Sequence, residues 1–416
     1  MARLSVSALH TRNYRLFFTG QMVSVSGTWM ESVAQSFLVL ALTGSGTQLG
    51  LVIAVRFGPM FLFGPWGGLI ADRLDNRRTL MVTQTLAGTV SLAFAVLVGT
   101  QVITMPLVYL LSLCLGFVNV FDNPARQSLI PDLVPREQLV NAVTLNSVTM
   151  NVARILGATF GGVIAAAVGL AWCFGINAIS FSAVLVSLLL MHRAEITTHE
   201  RVRREAGQVR AGFRYVAGTP ELLIPLVLIA VAGTLAWEFP VSMPLMARNA
   251  FGGDAVTYGT MTAAMGVGGV VGGLVSASRT SQRMVSMVIA GLGWGTAITL
   301  AAIAPNLALE YVVLVFVGYG SITFNSLAKT TLQLAAAPEM RGRVMALWAM
   351  AWLGSTPIGG PIIGTVGEHL GARWALGLGG VATVAISAAV YPRLRRVDRR
   401  RQAAAAAPAP AVAAAA

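Results

Sequence analysis

Charged residues are scarce in this chain. Asp, Glu, Lys and Arg make up 11% of its 416 residues, compared with about 25% in a typical soluble domain. Hydrophobic residues make up 56%, and the mean hydropathy is +0.72. Because so little polar surface could not cover a core of this size in water, the composition excludes a single soluble globule. It predicts a polytopic membrane protein.

Cysteine and histidine are also rare, which excludes several kinds of site. The two cysteines, Cys114 and Cys173, lie within apolar runs, which favours small buried side chains over a disulfide framework or a metal site. The four histidines show no ligand spacing. The sequence has no P-loop pattern GxxxxGK(S/T) and no Ser/His/Asp constellation. We therefore expect neither an enzyme nor a metal or cofactor site.

Long apolar stretches, by contrast, recur along the whole chain. Each is about 20 residues long, which lets a helix cross roughly 30 Å of hydrocarbon. The twelve predicted spans are 17–41, 48–70, 79–99, 104–124, 140–167, 171–191, 219–246, 256–277, 284–304, 309–331, 342–366 and 373–391. The fold class is therefore an all-α membrane protein with two six-helix bundles. The predicted domains are an N-terminal bundle at 1–191, a linker at 192–218, a C-terminal bundle at 219–392 and a basic, Ala/Pro-rich tail at 393–416.

Basic residues are concentrated on one side of the predicted bilayer, called the basic face below. With Arg343, the segments on this face hold 24 of the 29 Lys and Arg residues: 1–16, 71–78, 125–139, 192–218, 278–283, 332–341 and the chain after 391. Only Arg248 and Arg373 lie in the connections on the opposite face. Because cytoplasmic loops carry the excess of Lys and Arg, the basic face, the linker and both termini are predicted to be cytoplasmic. The net charge of +13 is then a topology signal, and we expect a lipid bilayer rather than a nucleic acid as partner.

The linker at 192–218 is the longest connection and lies between the two groups of spans. One interpretation is an amphipathic helix on the membrane surface. The other is a charged, solvated linker, and the sequence alone supports either.

The two groups of spans repeat each other at a nearly constant spacing of 203–207 residues. Asp122 aligns with Asn325, and Arg126 aligns with Lys329. Because each group has an even number of spans, the two repeats run in the same direction. Parallel six-helix repeats are an architecture that transporters use for alternating access.

The densest cluster of charge lies between the second and third spans, in the segment GGLIADRLDNRR at 67–78. Asp72 is placed to accept hydrogen bonds from a helix N-terminus, and Arg73 to pair with Asp122 at the inner end of the fourth span. Such a cluster can hold one conformation and release another, whereas the alternative is a basic loop that only sets topology. The residues assigned to this conformational latch are Gly68, Asp72, Arg73, Arg77, Arg78, Asp122 and Arg126.

The segment at 67–78 resembles the GxLaDRxGRR-type loop of the major facilitator superfamily. Four other segments resemble the branch that contains enterobactin-exporter-like and macrolide-efflux-like proteins: GTWM at 27–30, DNPARQ at 122–127, LVNA at 139–142 and RGRVM at 341–345. The resemblance covers about residues 11–392. It implies the major facilitator fold, with a central cavity between two bundles, proton-coupled export of small molecules, and the inner (plasma) membrane of a bacterium.

Charged residues inside the predicted spans are costly, and each is a functional hypothesis by default. Glu31 and Arg56 lie at depths that agree to roughly 3 Å along their helices, so we expect an ion pair. Glu238 lies at a similar depth in the seventh span, and Arg154 near the middle of the fifth. Because a carboxylate beside an arginine can titrate or be released as its partner moves, we assign all four to proton coupling. The alternative is a structural ion pair or a hydrogen bond that faces the cavity.

Glycine-rich motifs lie in the spans at 157–162, 266–273 and 360–364. A glycine-rich helix inside lipid cannot cradle a nucleotide, so we interpret these motifs as sites of close helix approach. The predicted substrate cavity includes Trp29, Met30, Trp237 and Met243, with core packing as the alternative.

These features predict a secondary transporter that exports an amphiphilic small molecule, such as a drug, siderophore or metabolite, by proton antiport with alternating access. A proton gradient takes the place of a cofactor, and we expect a monomer. One alternative is a proton-coupled uptake symporter, which the direction of proton movement would distinguish. The other is a non-transporting membrane component, which would tolerate substitutions at Asp72 and Glu31.

Overall fold

The computed structural model describes residues 7–71, 74–195, 208–278, 284–352 and 355–406, and every regular element in these residues is a helix. Six long helices form the N-terminal half: α1 (Arg12–Thr43), α2 (Gly46–Ala71), α3 (Asn76–Gly99), α4 (Met105–Asp132), α5 (Leu139–Val168) and α6 (Leu170–Leu190). Each of the first six predicted spans falls on one of these helices.

The linker and the C-terminal half contain nine helices in the described chain: α7 (Gln208–Ala217), α8 (Pro220–Leu235), α9 (Phe239–Leu245), α10 (Ala255–Ser278), α11 (Met284–Ala302), α12 (Leu307–Ala335), α13 (Arg341–Trp352), α14 (Thr356–His369) and α15 (Ala372–Ala406). Two predicted spans are therefore divided, the seventh between α8 and α9 and the eleventh between α13 and α14. A π-helical turn, Met246–Ala250, follows α9. The predicted tail at 393–416 is helical as far as Ala406.

Ten helices in the described part of the chain are long and apolar enough to cross a membrane. Together with α1 and the divided α13–α14 pair, they account for the twelve predicted spans. α1 is less apolar because polar side chains are buried along it, among them Gln21, Glu31 and Gln35. The predicted fold class, an all-helical membrane protein, is confirmed.

The two halves repeat one packing pattern. In the N-terminal half, α1 packs against α5 and α6, and α3 joins α4 to α6. In the C-terminal half, α8 packs against α13 and α15, and α11 joins α12 to α15. The halves meet along two helix pairs, α2 with α14 and α5 with α10, which together are called the seam below.

The linker helix α7 lies against the C-terminal half. Gly212 approaches Arg343 and Leu347 of α13, and the Tyr215 hydroxyl accepts a hydrogen bond from the Ala337 N–H at 3.2 Å. Of the two interpretations of the linker, residues 208–217 therefore agree with the helix, and this helix packs on protein.

Candidate functional site

The Glu31 carboxylate lies inside the N-terminal half with both oxygens partnered. Its Oε2 accepts hydrogen bonds from the Ser91 hydroxyl of α3 at 2.5 Å and from Asn177 Nδ2 of α6 at 2.6 Å. Its Oε1 lies 4.0 Å from Nη2 of Arg56, so the predicted ion pair is present at the limit of ion-pair distance. Only 1% of the Glu31 side chain is exposed.

Arg56 connects Glu31 to two further polar side chains. Its Nη1 donates to Gln35 Oε1 at 2.6 Å, and Gln35 Nε2 donates to the Ser112 hydroxyl of α4 at 2.7 Å. The residues of this Glu31 network are Glu31, Gln35, Arg56, Ser91, Ser112 and Asn177. Because a buried charge is costly unless it is paired and hydrogen-bonded, the network stabilises the N-terminal half as well as positioning Glu31.

Glu238 lies where the seventh span is interrupted. The helix breaks between Leu235 and Phe239, because Pro240 has no N–H to donate and its ring clashes with the carbonyl one turn earlier. Glu238 is 1% exposed, and neither of its carboxylate oxygens accepts a hydrogen bond from a described residue. The Thr356 hydroxyl of α14 is the polar group that faces this carboxylate.

Glycines of α14 bring the Glu238 carboxylate close to the seam. A Cβ atom at Gly359 would lie 2.9 Å from Glu238 Oε1, and one at Gly360 would lie 3.6 Å from Oε2. A Cβ atom at Gly360 would also lie 2.9 Å from the Gly50 carbonyl oxygen of α2. One layer of glycine therefore separates this carboxylate from the N-terminal half.

A second carboxylate of the C-terminal half, Glu310, is also buried without a described hydrogen-bond partner. It lies in the first turn of α12, near the opposite face. Arg373 interacts with it electrostatically while donating to the carbonyls of Ala302 and Ala304 at 3.0 and 2.7 Å. Glu310 therefore has a cation nearby, unlike Glu238.

The Arg154 guanidinium lies over the ring of Trp29, with its central carbon 4.6 Å from the ring centroid. The side chain is half-buried, and its buried Nε has no described hydrogen-bond partner. None of the ion pairs among the described residues includes Arg154. The sequence assigned Arg154 and Trp29 to different roles, and the structure brings them together.

The four predicted cavity residues divide into two classes. Trp29 and Trp237 are partly exposed. Trp237 belongs to an aromatic cluster in which its ring lies 4.7 Å from that of Trp352 and 6.2 Å from that of Trp294. Met30 and Met243 are 7% and 1% exposed and pack within the core.

Several predicted latch residues make contacts within the N-terminal half. Asp122 accepts hydrogen bonds from the Thr83 hydroxyl at 2.8 Å and Gln84 Nε2 at 2.7 Å, and it pairs with Arg126. Arg77 is buried, and its Nε donates to the Leu188 carbonyl at 2.7 Å, near the C-terminal end of α6 where a cation is favourable.

The other latch residues are less constrained or lie outside the described chain. Arg78 is 69% exposed and lies 4.0 Å from Asp75, whose side chain caps α3. Gly68 belongs to α2. Asp72 and Arg73 lie outside the described residues, and with them the expected Arg73–Asp122 pair.

At the opposite face the halves approach closely through glycine. Gly46 and Gly50 of α2 lie directly against the Gly364 and Gly360 carbonyls of α14. Along the second helix pair, Gly259 of α10 lies against the Ala158 carbonyl of α5. Any larger side chain at these positions would force the helices apart, as expected for glycine motifs that permit close helix approach.

Polar contacts across the same face join α1 and α2 to the C-terminal half. The Glu368 carboxylate accepts hydrogen bonds from the Ser45 hydroxyl at 2.5 Å and the Thr47 N–H at 2.8 Å, which caps the start of α2. The Arg248 guanidinium donates to the Leu40 carbonyl near the end of α1 at 2.5 Å. The opposite face is therefore closed by both glycine packing and hydrogen bonds.

The fold, its repeat and the glycine seam agree with one family. The family model described as transmembrane secretion effector, within the major facilitator superfamily, matches residues 4–416. This chain belongs to that family. The relatives it resembles include the enterobactin exporter EntS of Shigella boydii serotype 18, at 27% identity over 88% of each chain, and that of Salmonella choleraesuis, at 26% identity over 96% of each chain.

Solved structures agree with this assignment at the level of the fold. A bacterial homolog of the human lysosomal transporter Spinster, in an inward-facing and unoccupied conformation, superposes with a TM-score of 0.70 at 15% identity, over 93% of this chain and 97% of the other. The nucleoside transporter NupG superposes with a TM-score of 0.71 at 16% identity, over 92% and 98%. The chain is a multi-pass membrane transporter of the major facilitator fold.

The sequence reasoning missed several residues of this transporter's polar network and opposite face. Gln35 lies four residues after Glu31, a spacing that places two side chains on one helix face and could have been noticed. Glu310 lies within a predicted span, so the rule used for Glu31 and Glu238 applied to it as well. Ser91 and Asn177 carried no such signal, because small polar residues are common in membrane helices.

Proposed function

We propose that this chain is a secondary exporter of an amphiphilic small molecule of the siderophore class, and that it works by alternating access with protons moving in the opposite direction. Export and a siderophore substrate are supported by relatives that are enterobactin exporters and align over 88–96% of the chain. The basic face is assigned to the cytoplasm by the excess of Lys and Arg in its loops.

Glycine packing supports the conformational part of this proposal. Gly46 and Gly50 hold α2 against α14 near the opposite face, so the halves are closed there. We infer that this conformation is the one in which substrate enters from the cytoplasmic, basic face. Export then requires the seam to open at the opposite face, which must separate α2 from α14.

The unpartnered, buried carboxylate of Glu238 carries the proton-coupling proposal. The Thr356 hydroxyl faces this carboxylate, and no described cation pairs with it. Because an unpaired charge inside a membrane span is costly, we assign Glu238 to carrying the proton while the seam is closed. Because Gly360 lies close to both this carboxylate and α2, opening of the seam would change the surroundings of Glu238. Glu238 would then exchange its proton with the opposite face in one state and with the cytoplasm in the other.

The other predicted coupling residues receive different roles in this proposal. Glu31 and Arg56 form a paired network within one half, and we assign them to holding α1 and α2 in register as the halves move. The latch around Asp122 and Arg126 would act at the basic face, where it stabilises the N-terminal half close to the predicted cytoplasmic opening.

Proton movement in proteoliposomes tests the proposal. Vesicles that contain the full chain and a pH-sensitive dye would receive enterobactin from outside, with protein-free vesicles as the blank. Antiport predicts that the interior becomes more alkaline as substrate enters. Glu238→Gln should reduce this proton movement at least tenfold and retain substrate binding, because the amide cannot carry a proton.

Glu310→Gln is the matched control, since it removes a carboxylate of similar burial from the same half and should leave proton movement unchanged. Acidification of the interior on substrate entry would instead indicate a symporter. Proton movement at the wild-type rate in Glu238→Gln would remove Glu238 from the mechanism.

A further inference from the structure

Arg154 carries a charge that the rest of the N-terminal half does not neutralise. Arg56 has Glu31 and Gln35, and Arg126 has Asp122, but no described carboxylate pairs with Arg154. A half-buried guanidinium inside a membrane span is costly, and an arginine over a tryptophan ring recovers only about 0.5–2 kcal/mol. This cation is therefore retained for something other than the stability of the fold.

The position of Arg154 is at the seam between the halves. Two of its neighbours on α5 make close helix contacts: Gly157 lies against α1 at Ser26, and the Ile155 side chain lies against Gly266 of α10. The guanidinium itself lies over Trp29 of α1. It thus belongs to the region where α1 and α5 of one half meet α10 of the other.

Aromatic and hydroxyl groups of both halves surround this cation. Tyr258 of α10 interacts electrostatically with Arg154, and its ring stacks on Phe37 of α1 at 6.1 Å. Tyr258 is 2% exposed, and its hydroxyl faces the hydroxyls of Ser36 and Thr262. The site therefore offers a cation without a described counter-charge and the partly exposed ring of Trp29, bordered by buried hydroxyl groups of the other half.

We propose that Arg154 and Trp29, bordered by the Tyr258 hydroxyl of the other half, form a binding site for an aromatic anion, in which a carboxylate or phenolate of the substrate pairs with the guanidinium while the aromatic ring lies along Trp29. The proposal rests on the transport function above and specifies the chemical class of its substrate. It also changes the role of Arg154 from proton coupling to substrate binding. An arginine does not lose its proton in proteins, whereas its planar fork matches a carboxylate and stacks on aromatic rings.

Binding of a charged ligand and its neutral isostere to the full chain in detergent tests this site without any need for transport. The probes are 1-naphthoate and 1-naphthamide, which share one ring system and differ in charge, measured by equilibrium dialysis. Since hydrogen bonds to charged groups are about twice as strong as neutral ones, wild type should bind naphthoate at least tenfold more tightly than naphthamide.

Arg154→Gln should lose this preference and still bind naphthamide as wild type does, which also shows that the variant is folded. Arg154→Lys should keep part of the preference, because it retains the charge without the planar fork. Lys329→Met is the matched control: Lys329 also lies over a tryptophan, 5.4 Å from the Trp348 ring, and its loss should leave the preference intact.

Equal binding of the two probes by wild type, or an unchanged preference in Arg154→Gln, would overturn the anion site and leave the exporter proposal standing. The opposite combination of results can also be distinguished. A charge preference that depends on Arg154, in a protein that shows no substrate-dependent proton movement, would support the site and contradict proton-coupled export.

Discussion

The two halves of this transporter treat their buried carboxylates in opposite ways. Glu31 of the N-terminal half receives two hydrogen bonds and faces Arg56, whereas Glu238 of the C-terminal half receives no hydrogen bond from a described residue. Both are 1% exposed, so burial alone does not distinguish them. The difference lies in the partners: Glu31 has two hydrogen-bond donors and a guanidinium beside it, whereas Glu238 faces the Thr356 hydroxyl and pairs with no described cation.

The same contrast recurs at the basic-face ends of α4 and α12. Asp122 is paired with Arg126 and hydrogen-bonded to Thr83 and Gln84, whereas the equivalent Asn325 has a buried Oδ1 without a described partner. The two halves therefore keep one packing pattern, while Glu31 and Asp122 of the first half are paired and their counterparts Glu238 and Asn325 form no described ion pair. This difference is the reason the proton-coupling proposal rests on Glu238 rather than on Glu31.

The largest expected effect comes from removing the carboxylate charges in turn. Glu31→Gln leaves Arg56 buried without its counter-charge, and should lower the free energy of unfolding by about 3 kcal/mol. Glu238→Gln removes a carboxylate that forms no described ion pair, and should change the free energy of unfolding by less than about 1 kcal/mol. Denaturant titration of both variants in detergent micelles measures the difference.

The double variant Glu31→Gln/Arg56→Gln is the control for this comparison. It should recover part of the free energy of unfolding that Glu31→Gln loses, because the uncompensated charge of Arg56 is gone. Equal destabilisation by Glu31→Gln and Glu238→Gln would mean that the two halves do not differ in the way their hydrogen bonds indicate.

A smaller effect is expected at the glycine contacts that join the halves. Gly50→Val places a side chain against the Gly360 backbone, and should disfavour the closed opposite face by about 2 kcal/mol. Gly58→Val is the control on the same helix, since a Cβ atom there meets nothing within 4 Å. Electron–electron distance measurements between spin labels at the exposed positions Gln101 and Leu370 report the closure.

The label distance should lengthen in Gly50→Val and stay at the wild-type value in Gly58→Val. If the label distance in both variants equals that of wild type, the α2–α14 contact does not limit how closely the halves approach.

Neutralising the latch carboxylate of Asp122 is expected to lower the free energy of unfolding by about 1.5 kcal/mol. Asp122→Asn weakens charge-assisted hydrogen bonds to Thr83 and Gln84 and leaves Arg126 unpaired. The corresponding change in the other half, Asn325→Ala, removes an amide whose buried oxygen has no described partner and should be close to neutral. Thermal unfolding of Asp122→Asn and Asn325→Ala compares the two repeats directly. Equal decreases in the stability of the two variants would argue against a difference in hydrogen bonding and ion pairing between the halves.

The sequence predicted the spans well because their length and hydrophobicity are set by the bilayer. The seventh span was predicted as continuous, although the break before Pro240 follows from the chemistry of proline. The sequence also predicted the Glu31–Arg56 pair from matching depth. It could not predict that Ser91 and Asn177 complete the site, because nothing in a run of small polar residues indicates which helix will face which. The fold was therefore predictable to a greater extent than the site.

The assignment of Arg154 shows the same limit. A charge inside a span made it a functional hypothesis, but the sequence offered no means of choosing between proton coupling and ligand binding. That distinction depends on which aromatic and hydroxyl groups the other half brings to the seam, and those contacts, such as the one with Tyr258, involve residues about a hundred positions away.

The smallest expected effect concerns a third carboxylate, which is exposed and joins the two halves. Hydrogen bonds from the Ser45 hydroxyl and from the Thr47 hydroxyl and N–H lower the pKa of Glu368 from the ordinary glutamate value of 4.5 to about 2. Because the pKa is depressed only while the opposite face is closed, the ionised carboxylate stabilises closure above about pH 4.5. This contribution is lost as the pH falls toward 2.

The spin-label distance across the opposite face should therefore be constant between pH 7 and 5 and shift toward the open state by about twofold in population at pH 3, a modest change because exposed ionic contacts are weak. Glu368→Gln should show the weaker closure at every pH and no acid-dependent shift. An acid response of the same size in Glu368→Gln would place the titrating group elsewhere, and would leave glycine packing as the main contact that closes this face.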